Sequence, residues 1–346
     1  MHIRLSRTTL NEAAQNGVLS SEQAEQLWTF VSERAHDSPS FRFTHILYYF
    51  GGLVAIGAMS LFLTLGWERF GGLGIFFIAL CYAGAGLWST EYLLKNLHLP
   101  IPAGIVAAFV VVLVPLGVYG LQAAAGWWDD GRHYVDYYGS LDRRWLLMEL
   151  AALAAAVAML WRYRLPFLTL PVALALWYIS VDSIPFFLGG PDARWELRET
   201  VSLWAGLLIT FVALLVDVRT RHHKDYAFWI YIVGVAAFWG GLSLVHLEDE
   251  LHNFLYLCIN VVMIVAGAML SRRVFVVFGA LGTAGYVGYL AYDVFRDSMV
   301  FPFALAATGF GIIYLGIVWQ RRERAISAYL RGLVPSLLRE FVERRG

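Results

Sequence analysis

From Thr44 onward the chain runs in long apolar stretches separated by brief polar interruptions. Stretches of roughly 18 residues or more match the length a helix needs to cross ~30 Å of hydrocarbon. The apolar positions are continuous rather than alternating, which predicts helices and excludes the strands of a membrane barrel. Ten spans are predicted: Thr44–Leu65, Gly71–Leu93, Ile101–Leu121, Trp145–Trp161, Leu165–Val181, Leu197–Val216, Tyr226–Val245, Leu251–Leu270, Val274–Tyr292 and Pro302–Trp319. Only Arg162, Tyr163 and Arg164 divide the fourth from the fifth, so this pair either crosses fully or is partly re-entrant. The predicted fold is all-α, a polytopic transmembrane helix bundle over residues 44–320.

Both flanks are polar but patterned. In residues 1–43, Gly17 suits the left-handed residue that ends a first short helix. Ser20 with Gln23 forms a capping box for a second, on which Ala24, Leu27, Trp28 and Val31 make one apolar stripe. This predicts a cytosolic helical hairpin that docks under the bundle or onto a partner protein. In residues 321–346, Ile326, Tyr329, Leu330, Leu333, Leu337 and Phe341 recur at helical spacing between arginines, with Gly332 and Pro335 dividing the segment. A basic amphipathic tail of this kind lies on an anionic inner leaflet, with Arg321, Arg322, Arg324 and Arg331 at the lipid headgroups. Protein binding through residues 1–40 or 321–346 is the alternative.

Composition agrees with the pattern: 59% of residues are hydrophobic and 15% charged, where a soluble domain carries about a quarter. The formal net charge of zero conceals a sorting by side. With the N-terminus inside and ten spans, 19 of the 26 basic residues fall on the cytoplasmic side and 7 on the outer side. That asymmetry orients the chain with both termini in the cytoplasm. The expected location is the cell inner (plasma) membrane. Cys81 and Cys258 lie within apolar runs and build neither a disulfide framework nor a metal cluster. No phosphate-binding G-x-x-x-x-G-K-[ST] loop and no G-x-S-x-G nucleophile elbow occurs. No cofactor and no nucleic-acid partner is expected.

The segment "GVLSSEQAEQLWTFV", followed by a first span ending in "TLGWERFGGLG" and a glycine-rich second span, resembles a bacterial family of multi-pass membrane proteins catalogued as a domain of unknown function. The resemblance covers roughly the first 100 residues. It implies an inner-membrane location and carries no activity and no site residues with it.

Polar residues inside apolar runs are the candidates for chemistry. Glu149 lies four residues past Trp145, about 6 Å deeper along a helix axis. Intramembrane acids face a bundle interior or a watered cavity because hydrocarbon burial costs several kcal/mol; otherwise Glu149 reaches the interface and pairs with Arg143 or Arg144. Asn260, mid-span, is an interhelical hydrogen-bonding group or a pathway residue. Asp182 stands at an outer span end. Pro115 and Pro171 are expected to free backbone carbonyls within their spans. In "HLEDELH", His246, Asp249 and Glu250 could share one helix face and hold a divalent ion, but the chain must reverse there. A turn in which Asp249 caps the next helix accounts for the same residues. The loop Gly126–Arg144, with five tyrosine and tryptophan rings and four aspartates, is either an aromatic belt or a sugar-stacking surface.

Three functions remain open on these grounds. One is a transporter-like bundle with a polar intramembrane cavity near Glu149 for a small solute, ion or lipid, with Asp182 and Asn260 on its pathway. The second is a non-catalytic scaffold or assembly subunit. The third, resting on the aromatic loop, is a membrane enzyme acting on lipid-linked glycans.

Overall fold

The computed structural model describes residues 7–35, 43–128, 143–183, 195–219, 225–244, 250–270 and 272–295, with isolated helical positions at 303, 306, 309 and 310. The tenth predicted span, apart from those positions, and the tail with Arg321, Arg322, Arg324 and Arg331 lie outside the described residues. Among the described residues the fold is helical, with no strand. In chain order the helices are α1 (Arg7–Gln15), α2 (Ser21–Ala35), α3 (Phe43–Lys95), α4 (Pro100–Ala124), α5 (Arg143–Tyr163), α6 (Thr169–Asp182), α7 (Trp195–Arg219), α8 (Ala227–Leu244), α9 (Glu250–Met269) and α10 (Arg273–Phe295). Among the described residues, five segments are long and apolar enough to cross a membrane: Phe70–Lys95, Pro100–Ala124, Arg144–Tyr163, Leu197–Arg219 and Ala227–Leu244. Pro166–Asp182, Phe254–Met269 and Arg273–Tyr289 are apolar but shorter.

Local chemistry explains the ends of these elements. Gly17 has φ 71° after α1. Ser20 N–H donates to Gln23 Oε1 and Gln23 N–H to Ser20 Oγ, at 3.0 and 3.1 Å, opening α2 with a reciprocal cap. Leu10 and Ala24 are buried where α1 meets α2. Within α3 the helical run breaks at Gly71, whose φ of 60° and ψ of 171° only glycine adopts without strain. The chain reverses there. Tyr49 and Gly52, before the break, sit against Phe167 and Ile105 at the end of the bundle that also holds Lys95. The expectation for Pro171 is corrected: α6 opens at Thr169 after a 3-10 turn, Pro166–Leu168, so Pro171 falls in the first turn, where its missing N–H costs little. Pro115 does lie inside its helix, α4.

The helices alternate between two ends of the bundle, called here the Lys95 end and the Gly71 end. Arg162, late in α5, reaches Glu91 near the Lys95 end, while Gln122 Nε2, late in α4, donates to the Arg144 carbonyl near the Gly71 end. Tyr226 Oη, just before α8, donates to the Arg164 carbonyl at the Lys95 end. The late-α8 Ser243 hydroxyl meets the early-α9 Tyr256 hydroxyl, 3.0 Å apart, at the other.

Helix pairs approach closely because glycines face backbone. A Cβ on Gly120 of α4 would stand 2.8 Å from the Gly72 carbonyl oxygen of α3. Between α7 and α8, a Cβ on Gly241 would stand 2.6 Å from Leu203 N, and one on Gly234 2.7 Å from Thr210 N. In hydrocarbon, where lipid tails are as apolar as leucine, this close van der Waals packing is what holds helices together. Two closely packed pairs result, α3–α4 and α7–α8, with α6 touching α5, α7 and α8 and so joining the two halves. The pair α9–α10 is also built on glycine, Gly267 and Gly279, and meets the rest mainly through α8.

Candidate functional site

At the Gly71 end, α5 and α6 pack antiparallel. That register puts the second turn of α5 opposite the last turn of α6, and brings Glu149 and Asp182 close enough for their carboxyls to interact. No donor reaches the buried Oε2 of Glu149 among the described residues. Ionised carboxylates only accept hydrogen bonds, so a direct bond between the two would need a proton on one of them. Such a pair can take up a proton or give one up in exchange for another cation.

The surroundings of the pair are aromatic and ordered. Trp128 is edge-on to Tyr119 at 5.3 Å and to Trp145 at 6.3 Å, with the Arg144 guanidinium 4.7 Å from its ring centre. Trp128 Nε1 donates to Gln122 Oε1 at 3.2 Å. Arg144, an expected partner for Glu149, instead donates to the Trp127 carbonyl. Trp128 and Trp145 therefore serve as packing around Met148, the neighbour of Glu149. On α6, Trp177 Nε1 donates to Ser202 Oγ of α7, which in turn donates to the Ala237 carbonyl of α8. Glu199, one turn before Ser202, is buried in the same part of the bundle. The sequence reading passed over Glu199, although it lies only two residues inside the sixth predicted span.

Asn260 stands apart from the carboxyl pair. It is fully buried between α9 and α10, with Nδ2 donating to the Tyr256 carbonyl and Oδ1 against Gly282. Its position is that of an interhelical contact rather than a third member of the pair. His246 and Asp249 lie outside the described residues, and Glu250 is the first residue of α9. Among the described residues no group of three histidine, cysteine, aspartate or glutamate side chains converges as a metal site. A concavity of about 540 Å³ on α5 is lined by Leu150, Leu153, Ala154, Val157, Ala158 and Trp161; it is apolar and opens outward.

The Lys95 end holds a second charged cluster, of which sequence reasoning counted only Arg272, among the cytoplasmic basic residues, and passed over Asp217 and Asp225. Arg272, between α9 and α10, donates Nε to Asp217 Oδ2 (3.0 Å) and Nη2 to Asp217 Oδ1 (2.7 Å), a bidentate pair. It also donates Nη1 and Nη2 to the two oxygens of Asp225, at 2.5 and 3.0 Å. Asp225 Oδ1 accepts from Phe228 N–H and so caps α8. The guanidinium lies 5.1 Å from the ring centre of buried Tyr231. Burial disfavours its charge, but the hydrogen bonds and charges of Asp225 and Asp217 outweigh this and hold its pKa above the ordinary arginine value. The available signal was Asp217 itself, one residue past the predicted end of an apolar span and in need of a partner.

The fold and these clusters define an all-helical protein with helices suited to a membrane interior and two polar clusters at opposite ends. Comparison with family models, with curated proteins and with solved structures returns no match.

Proposed function

We propose that the chain is a multi-pass inner-membrane transport protein in which the Glu149–Asp182 pair exchanges a proton or other small cation during movement of a small solute. The observation that carries this reading is the approach of two half-buried carboxyls, Glu149 and Asp182, on neighbouring apolar helices. Acids are costly there and are retained where they line an ion or substrate pathway. The full reading has ten spans. It sets the Lys95 end in the cytoplasm, because Lys95, Arg162, Arg164, Arg219, Arg272 and Arg273 gather at that end. Both termini are then cytoplasmic, and the arginine-rich tail rests on anionic lipid.

Proton flux into proteoliposomes, followed with an entrapped pH-sensitive dye, tests the proposal. Glu149→Gln keeps a donor toward Asp182 but cannot release a proton, so flux falls to the empty-liposome level while the protein stays folded. Flux unchanged from the parent removes the pair from the mechanism. A second reading, an assembly subunit, is favoured by the exposed Val18 and Leu27 on the α1–α2 hairpin. It requires a stoichiometric partner on gentle extraction that is lost when residues 1–40 are deleted. A third reading, a membrane enzyme acting on lipid-linked glycans, rests on the loop Gly126–Arg144, of which residues 129–142 lie outside the described residues.

A further inference from the structure

We infer that the Asp217–Arg272–Asp225 cluster is a reversible latch that holds the α9–α10 hairpin closed against the α7–α8 hairpin at the Lys95 end. The inference stands on its own geometry and does not depend on the carboxyl pair. Each hairpin is rigid within itself: Gly234 and Gly241 bring α8 onto α7 backbone, and Gly279 brings α10 onto the Asn260 carbonyl of α9. Contact between the hairpins is much thinner and runs mainly through α8 and α10. Two stiff bodies joined by a thin seam move relative to each other more readily than either deforms.

The cluster closes that seam from three separate chain positions: the end of α7, the residue capping α8, and the link between α9 and α10. Side-chain exposure is 7% for Arg272 and 3% for Asp217, but 21% for Asp225, which is the member nearest solvent. Buried ion pairs are poor permanent adhesive, because the cost of desolvating the charges cancels much of their attraction. When such a seam opens to water, hydration returns that cost. Open and closed states then differ little in free energy, which is the property a two-state element requires. An apolar contact in the same place would have no comparable compensation. Tyr231, beneath the guanidinium, and the cluster of Ala213, Val235, Met263 and Phe275 give the closed state its fixed seat.

The test is a spin-label distance measurement across the seam, on full-length protein in lipid nanodiscs. Cys81 and Cys258 are replaced by serine, and labels are attached through Val218→Cys on α7 and Val277→Cys on α10, both exposed positions. Asp225→Asn keeps a cap oxygen for Phe228 N–H but removes the charge facing Arg272. It is expected to raise the long-distance population about tenfold, with unchanged elution on size exclusion. An Asp217→Leu, Arg272→Met variant, which substitutes apolar packing for the bidentate pair, is expected to show only the short distance. A folded Asp225→Asn protein with the parent distribution would overturn the latch. If Asp225→Asn fails to fold, the apolar variant decides alone: loss of the parent's long-distance component supports the latch, and retention overturns it.

Discussion

Single atoms decide much of this structure, because helices packed through glycine leave no tolerance. Gly240 and Gly241 are adjacent in sequence yet differ entirely in surroundings. A Cβ on Gly240 meets nothing within 4 Å, while one on Gly241 meets Leu203 N at 2.6 Å and the Glu199 carbonyl at 2.8 Å. Gly240→Ala is therefore expected to leave thermal stability in detergent unchanged. Gly241→Ala is expected to lose roughly 1–3 kcal/mol, the usual range for overpacking. Equal melting temperatures for the two variants would contradict the close α7–α8 approach. Charge gives a second comparison. Arg272→Ala leaves the buried Asp217 carboxylate without its bidentate partner and should cost about 3–5 kcal/mol. Adding Asp217→Ala should recover part of that loss, and a double variant less stable than Arg272→Ala alone would argue against the pairing.

At the scale of elements, the sequence was most informative where causes are local. Gly17, Ser20 and Gln23 act within a few residues of themselves, so the end of α1 and the start of α2 could be read directly. Apolar run length likewise marked out the helices, and the division at Arg164 coincides with a positive φ of 51°. Pro171 was misread because the true start of α6 depends on a short 3-10 turn that apolar patterning does not record. Pairings across distance were less legible. Glu149 was identifiable as an acid within an apolar run and Asp182 as one at a span end, but their approach depends on the α5–α6 register. Asp217, Asp225 and Arg272 are far apart along the chain, and only the folded arrangement unites them. The α9–α10 contact allows a reciprocal test of such pairing. Gly282→Ala forces a methyl group onto the Asn260 side chain and is expected to reduce the yield of monodisperse protein. Combining it with Asn260→Ala removes the obstacle and should restore the yield. Failure of the second change to rescue the first would show that Gly282 matters for some other reason.

Among the described residues, two clusters of charged side chains stand out at opposite ends of the bundle. A carboxyl pair occupies the Gly71 end between α5 and α6, and an arginine held by two aspartates occupies the Lys95 end between the α7–α8 and α9–α10 hairpins. The helices between are apolar and interlocked by small residues. This is a plan suited to a protein that must admit charge at its ends while sealing its middle against lipid. The transport reading rests on the bundle spanning the bilayer with its Lys95 end inward. Labelling of single cysteines in intact cells by a membrane-impermeant maleimide tests that arrangement most directly, using Leu97→Cys in the α3–α4 link and Trp127→Cys beyond α4, each in a protein lacking Cys81 and Cys258. The account predicts that Trp127→Cys is labelled from outside and that Leu97→Cys reacts only after the membrane is permeabilised. Labelling of Leu97→Cys in intact cells with protection of Trp127→Cys would contradict the orientation, and equal labelling of both would contradict the membrane crossing itself.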